Sequence, residues 1–169
     1  MKAAIGMGSS LGDRLGWLEL AVRCLNAHPE VTVLRTSRWL RTPPMRGGTA
    51  RGWFLNGVAL VETSLTPMEL LDVCRGLEDR AARRRKGYWG DRTLDLDILH
   101  MEGVAVSDAW LVLPHPGLLD RPFALGPLQE VWPTARHPEQ DRLFTDYVMP
   151  RRRRPVPVGI LPRRLTGTV

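Results

Sequence analysis

The chain has 169 residues, 43% hydrophobic and 25% charged, which suits one soluble domain with room for a full hydrophobic core. Its formal charge of +6 is localised, because residues 150–169 hold six arginines and no acid and so leave residues 1–149 formally neutral. That distribution argues against the broad basic face of a nucleic-acid binder, and no apolar run approaches the roughly 18 residues of a membrane span. The first residues are strand-like and lack a signal-peptide core. Cys24 and Cys74 fall in helical patterns as small buried residues. A cytoplasmic location is the expectation.

Ala3–Met7 reads as a short buried strand. Asp13 is a helix N-cap, with Leu15, Leu18, Val22 and Leu25 on one helical face until Pro29 stops it. Val31–Leu40 reads as a second strand, residues 41–52 as a Pro- and Gly-rich loop, and Trp53–Thr63 as a third strand. Thr66-Pro67-Met68-Glu69 supplies an N-cap, a first-turn proline and a capping-box glutamate for a helix through Leu70, Val73, Cys74 and Leu77. A basic linker, 80–91, leads to a fourth strand, Thr93–Leu99. The expected class is therefore α+β, a ferredoxin-like β-α-β-β-α-β sheet with two helices on one face. A short hairpin near Val104, a turn at Leu113–Gly117 and helical sequence from Phe123 to Val131 follow. The tail, 150–169, forms a C-terminal extension whose proline and charge imply little fixed structure.

Chemistry concentrates on the fourth strand. Leu94, Leu96 and Ile98 point one way, while Thr93, Asp95, Asp97 and Leu99 point the other. The two aspartates would sit about 6.6 Å apart at Cα on one face. Like charges so placed repel, so the strand either carries a solvated acidic face or holds a hard cation such as Mg²⁺, which takes one or two carboxylates and leaves its other positions to water and phosphate. Arg83, Arg84, Arg85 and Lys86, with Trp89 and Arg92, could surround a triphosphate or form a solvated basic surface. Phe54 and Asn56 share a strand face, where a ring and an amide could receive a flat heterocycle or simply pack as core and loop end. His115 sits in a proline-bounded turn, available to a phosphate or to a structural hydrogen bond. The glycines at 6, 8 and 12 fail the dinucleotide fingerprint because Leu11 stands where its third glycine belongs; Gly8 instead permits close approach to a ligand.

These pieces together resemble the 6-hydroxymethyl-7,8-dihydropterin pyrophosphokinase family over roughly residues 3–133. The resemblance rests on Gly8-Ser-x-Leu-Gly-Asp-Arg14, Arg41-Thr-Pro-Pro44, Phe54-Leu-Asn56, Trp89-Gly-x-Arg-Thr-Leu-Asp-Leu-Asp-Ile98, Leu113-Pro-His-Pro116 and Arg121-x-Phe123. It implies transfer of diphosphate from the co-substrate ATP to the pterin hydroxymethyl group, releasing AMP. Two Mg²⁺ ions on Asp95 and Asp97 would bridge the phosphates. The implied catalytic residues are Arg83, Arg92, Asp95 and Asp97. Gly8, Thr42, Pro43, Pro44, Met45, Phe54, Asn56 and Phe123 would hold the pterin. Glu78, Arg83, Arg85, Lys86, Trp89, Arg92, Ile98, His115 and Arg121 would hold ATP. Loops 44–52 and 80–92 would close over both substrates and exclude water.

The chain departs from the family's usual residues at Ser10 (often asparagine), Leu40 (tyrosine), Ala82 (glycine) and Asp91 (proline). Two rivals follow: a catalytically silent pterin binder, and a ferredoxin-like RNA-binding module whose aromatic-rich strand motif is missing here. The expected partners are small molecules only, with no nucleic acid and no membrane, and the expected state is a monomer. Residues 1–149 form the expected pyrophosphokinase domain, and deletion of 150–169 is expected to leave the pterin and ATP constants nearly unchanged.

Overall fold

The computed structural model describes residues 1–44, 48–81 and 90–148, together with the backbone of 156–157. Its elements are β1 (Lys2–Ser9), α1 (Arg14–Asn26), β2 (Val31–Thr36), β3 (Leu40–Thr42), β4 (Phe54–Thr63), α2 (Pro67–Arg80), β5 (Asp95–Met101), β6 (Val106–Ser107), β7 (Val112–Leu113), α3 (Pro122–Val131) and β8 (Val156–Pro157). The fold is α+β. An antiparallel sheet runs in the order β5-β1-β4-β3-β8, with β2 also paired to β4, and β6 and β7 form a separate hairpin.

Alternation on the strands divides the core in two. Ile5, Leu55, Leu96 and Ile98 face α1 and α2, where Leu18, Leu25, Leu70 and Cys74 meet them. Ala4, Val58, Leu60 and Leu99 face the other way, under Leu125 and Leu128 of α3 together with Trp132 and Phe144. Two helices thus share one face as the sequence suggests, and α3 covers part of the other. Cys74 is fully buried, whereas Cys24 is only half-buried.

The helix starts follow their sequence signals. Asp13 Oδ1 accepts the Gly16 N–H at 3.0 Å, and Thr66 and Glu69 form the reciprocal capping box, with Pro67 at the first position of α2. The first helix ends at Asn26, three residues before Pro29.

The expected second strand, Val31–Leu40, is two strands. Between them Ser37 bonds across to Val58, its N–H donating to the carbonyl at 2.8 Å and its Oγ accepting the Val58 N–H at 2.9 Å. Trp39 is then 2% exposed, lying so close over Gly57 that a Cβ there would be 2.5 Å from the indole. Burying that ring on a glycine breaks the strand. The fourth strand is displaced, running from Asp95 to Met101 rather than from Thr93 to Leu99. Thr93 instead donates its hydroxyl to the Ala81 carbonyl at 2.7 Å, tying the two ends of the basic segment together. The tail differs from expectation at two residues, since Val156–Pro157 pairs with Leu40 and Arg41.

Candidate active site

Gly8 is the centre of the site. It pairs with Asn56 on one side and with Asp95 on the other, and Gly6 pairs with Asp97. A Cβ at Gly8 would stand 2.9 Å from Asn56 Oδ1 and 3.7 Å from the Asp95 Cβ, so glycine keeps the surface between them open. Asp95, Asp97 and Leu99 share the face covered by α3, but only Leu99 lies beneath the helix core. Beyond it opens a cavity of about 250 Å³, lined by Thr42, Pro43, Phe54, Asn56, Arg92, Asp95, Asp97, His115, Arg121 and Phe123. Every lining residue belongs to the set singled out from the sequence.

One end of this cavity suits a heterocycle. Phe54 and Phe123 offer rings from β4 and from the start of α3. Asn56 Nδ2 donates to Thr42 Oγ1 at 2.6 Å, which fixes the amide plane and leaves Oδ1 turned towards Gly8.

The other end is charged. Arg92 meets Asp95 at 2.6 Å, with both side chains largely enclosed. His115 is held twice: its N–H donates to the Leu99 carbonyl at 2.8 Å, and its Nδ1 accepts the Gly117 N–H at 2.9 Å. With Nδ1 accepting, a neutral imidazole carries its proton on Nε2. Burial, and then the Arg121 charge, push His115 below its ordinary pKa against the opposing pull of Asp95, so it is a neutral donor near pH 7. Arg121 lies against Gly117, where an added Cβ would be 2.5 Å from Nε.

Two departures from the family pattern interlock behind the site. The Asp91 carboxylate accepts the Arg51 N–H at 3.0 Å and the Gly52 N–H at 3.2 Å, bracing loop 48–52. Burial would raise its pKa, but those donors, the Ser10 hydroxyl and the Arg14 charge outweigh burial and hold it below the usual value. Ser10 in turn accepts the Arg92 N–H on its Oγ at 3.0 Å and donates its own N–H to the Arg92 carbonyl at 2.9 Å. Asp91 therefore acts on loop backbone. Asp91→Ala is expected to speed hydrogen exchange at the Arg51 and Gly52 amides about tenfold, and unchanged exchange would refute this bracing role.

A second cleft, about 320 Å³, adjoins the first through Asp97 and His115, which line both. Its walls are Leu71, Arg75 and Glu78 of α2, Leu96 and Ile98 of β5, the hairpin residues Asp108–Val112, and Pro116. The sequence pointed to Glu78 and Ile98 but not to the hairpin wall. Its available signal was Asp108, whose carboxylate accepts the Trp110 and Leu111 N–H groups at 2.7 and 2.8 Å in a self-bracing turn. Glu78 is buried, with Oε1 accepting the Leu96 N–H at 2.7 Å, so it fixes α2 to β5 at the cleft wall.

Pro44 is half-buried and lies outside the cavity lining. Met45, Arg83, Arg85, Lys86 and Trp89, along with Ala82 and most of the basic loop, lie outside the described residues.

Residues 4–133 match the family described as 7,8-dihydro-6-hydroxymethylpterin-pyrophosphokinase (HPPK). The chain is 44% identical over 132 residues to a Methylorubrum extorquens protein named 2-amino-4-hydroxy-6-hydroxymethyldihydropteridine pyrophosphokinase, covering 78% of this chain and 83% of that one. It is 40% identical over 129 residues to a Bacillus subtilis protein of the same name, covering 76% and 77% respectively. A crystal structure of Plasmodium falciparum HPPK-DHPS superposes with a TM-score of 0.62 at 12% identity, covering 86% of this chain. This chain spans 42% of that longer one, and the likeness speaks to fold alone. With the matched segment spanning every residue that lines the cavity and reaching all of the sheet's strands but β8, the chain belongs to the 7,8-dihydro-6-hydroxymethylpterin-pyrophosphokinase family.

Proposed function

We propose that this pyrophosphokinase transfers diphosphate from ATP to the hydroxymethyl group of 6-hydroxymethyl-7,8-dihydropterin, releasing AMP, as a step of folate biosynthesis. The observation that carries it is one cavity lined both by an aromatic and amide receptor and by paired carboxylates with basic donors. The names of the two bacterial relatives support the same reaction. The strand order, with β2 and β3 acting as one broken strand beside β4, supports a ferredoxin-like description. The formal neutrality of 1–149 favours small-molecule substrates over nucleic acid; the proposed setting is a cytoplasmic monomer, and among the described residues no helix is long and apolar enough to cross a membrane.

In this account the pterin ring lies between Phe54 and Phe123, and its ring polar groups meet Asn56. Thr42 holds that amide in orientation, and the open backbone at Gly8 lets the ring approach the strand. The second cleft takes the nucleoside, with Ile98 as part of its wall. His115 Nε2, Arg121 and Arg92 donate to the phosphates between the two clefts. Arg83, Arg85, Lys86 and Trp89 complete the nucleotide side, and the loops carrying Met45 and the basic run exclude water that would compete for the diphosphate. Asp95 and Asp97 are two hard oxygen donors on one strand face lining one cavity, a set that fits Mg²⁺. Two such ions, when bound there, supply charge neutralisation between the phosphates and the reacting oxygens. The hydroxymethyl oxygen bonds to the β-phosphorus as the bond from that phosphorus to the α–β bridging oxygen breaks. AMP leaves with the bridging oxygen, and the hydroxyl proton is released to solvent.

Asn56→Ala tests the division of labour. Pterin affinity should fall by about 1–3 kcal/mol, because buried heterocycle groups lose their partner, while ATP affinity changes little. Calorimetric titration of each ligand reads the two separately. Equal weakening of both would mean that Asn56 holds up the fold.

A further inference from the structure

The C-terminal segment returns to the sheet at the wall of the cavity. β3 is three residues long and supplies Thr42, whose hydroxyl orients the Asn56 amide. On one flank it pairs with β4, through Leu40 with Asn56, Arg41 with Leu55, and Thr42 with Phe54. On the other it pairs with β8, through Leu40 with Pro157 and Arg41 with Val156. Alternate residues of a strand direct their N–H and C=O groups to opposite neighbours, and proline has no N–H. Arg41 with Val156 is therefore the pair able to exchange two hydrogen bonds, while Pro157 occupies the outermost strand, where proline is tolerated. Without β8, the Arg41 backbone would be turned to solvent and a three-residue strand would form the sheet edge.

We infer that β8 is a positioning element for the pterin side of the site: by pairing with Arg41 it fixes β3, and through β3 the Thr42 hydroxyl that orients Asn56. This rests on the assignment of Thr42 and Asn56 to the pterin made above. It reverses the sequence-based expectation that residues 150–169 are dispensable for substrate binding. The effect is selective, because the second cleft is walled by α2, β5 and the β6–β7 hairpin and draws no residue from β3. The arginines of the tail need no role in it.

Two variants test this in the whole protein: deletion of residues 149–169, and Val156→Pro, which removes one pairing N–H and keeps every charge. In both, the KM for the pterin should rise roughly five- to tenfold, because a small misplacement of an orienting group is costly, while kcat and the KM for ATP stay within about twofold. Hydrogen exchange at the Arg41 amide should accelerate in the ligand-free protein. Faster Arg41 exchange with an unchanged pterin KM would show that β8 pairs without positioning anything. Unchanged exchange would show that the pairing does not form in solution, and equal rises in both KM values would indicate general loosening; each result overturns the inference. Asn56→Ala, measured alongside, separates the two levels: if it too leaves pterin binding intact, the pterin assignment has failed rather than the role of β8.

Discussion

Asp95→Asn and Asp97→Asn should each lower turnover by roughly 10³-fold or more, because a fixed charge aimed at developing charge is the largest single contribution to such catalysis. The two carboxylates are side by side on β5 and line the same cavity, so neither can replace the other without moving the strand. The fold should survive both changes. Leu96 and Ile98, on the opposite face, carry the packing of this strand against α2, and the asparagine side chains have the volume of the originals. Asp95→Asn also releases Arg92 from its 2.6 Å ion pair, so ATP affinity should respond differently in the two variants while the turnover loss is shared. Single-turnover rates at saturating substrates, with a thermal melt of each variant, measure this. A variant retaining a tenth of the activity would remove its carboxylate from the proposed metal site.

Stability should fall as pH drops from about 6.5 towards 4, and His100 is the main reason. The ring is 1% exposed, tilted against Trp132 and edge-on to Phe144 at centroid distances of 5.1 and 5.0 Å, and its Nδ1 has no hydrogen-bond partner among the described residues. Burial first, then the nearby His137, push its pKa down to about 4, with Glu102 pulling weakly the other way. In the unfolded chain the group takes a proton near pH 6.5, while the folded protein refuses it until about pH 4. Below 6.5 the unfolded state therefore binds more protons, and stability falls until the folded pKa is reached. The expected loss is about 3 kcal/mol at most. His100 follows Leu99, whose carbonyl holds His115, so acid should weaken the active-site turn as well. Denaturant midpoints across this pH range should slope steeply in the native protein and shallowly in His100→Phe. An equal slope in both would assign the acid sensitivity elsewhere.

The residues that line the cavity were more legible in the sequence than the frame around them. The alternation through Asp95 and Asp97 and the pair Phe54 and Asn56 each depend on a period of two, which the sequence prints directly. What it concealed were features set by distant contacts. The break at Ser37–Trp39 exists because Gly57, twenty residues on, has room beneath an indole. A register shift between β1 and β5 leaves Leu99 as the extra residue on β5, and the Leu99 carbonyl anchors His115. Asp91 stood in the sequence only as a departure from the family's usual proline, yet its carboxylate accepts two backbone N–H groups about forty residues earlier in the chain. Proline and arginine in the tail argued for a free segment, although one valine and one proline suffice to pair with an edge. The resemblance alone put Glu78 on the expected ATP side, and composition says nothing of the Leu96 N–H that its carboxylate holds.

AMP release from ATP in the presence of Mg²⁺ tests the central claim most directly, measured with and without 6-hydroxymethyl-7,8-dihydropterin and with the phosphorylated pterin product weighed by mass spectrometry. Pterin-dependent AMP formation, matched mole for mole by a pterin carrying two added phosphoryl groups, is the predicted result. ADP with a singly phosphorylated pterin, or a pterin that binds and is returned unchanged, would contradict it.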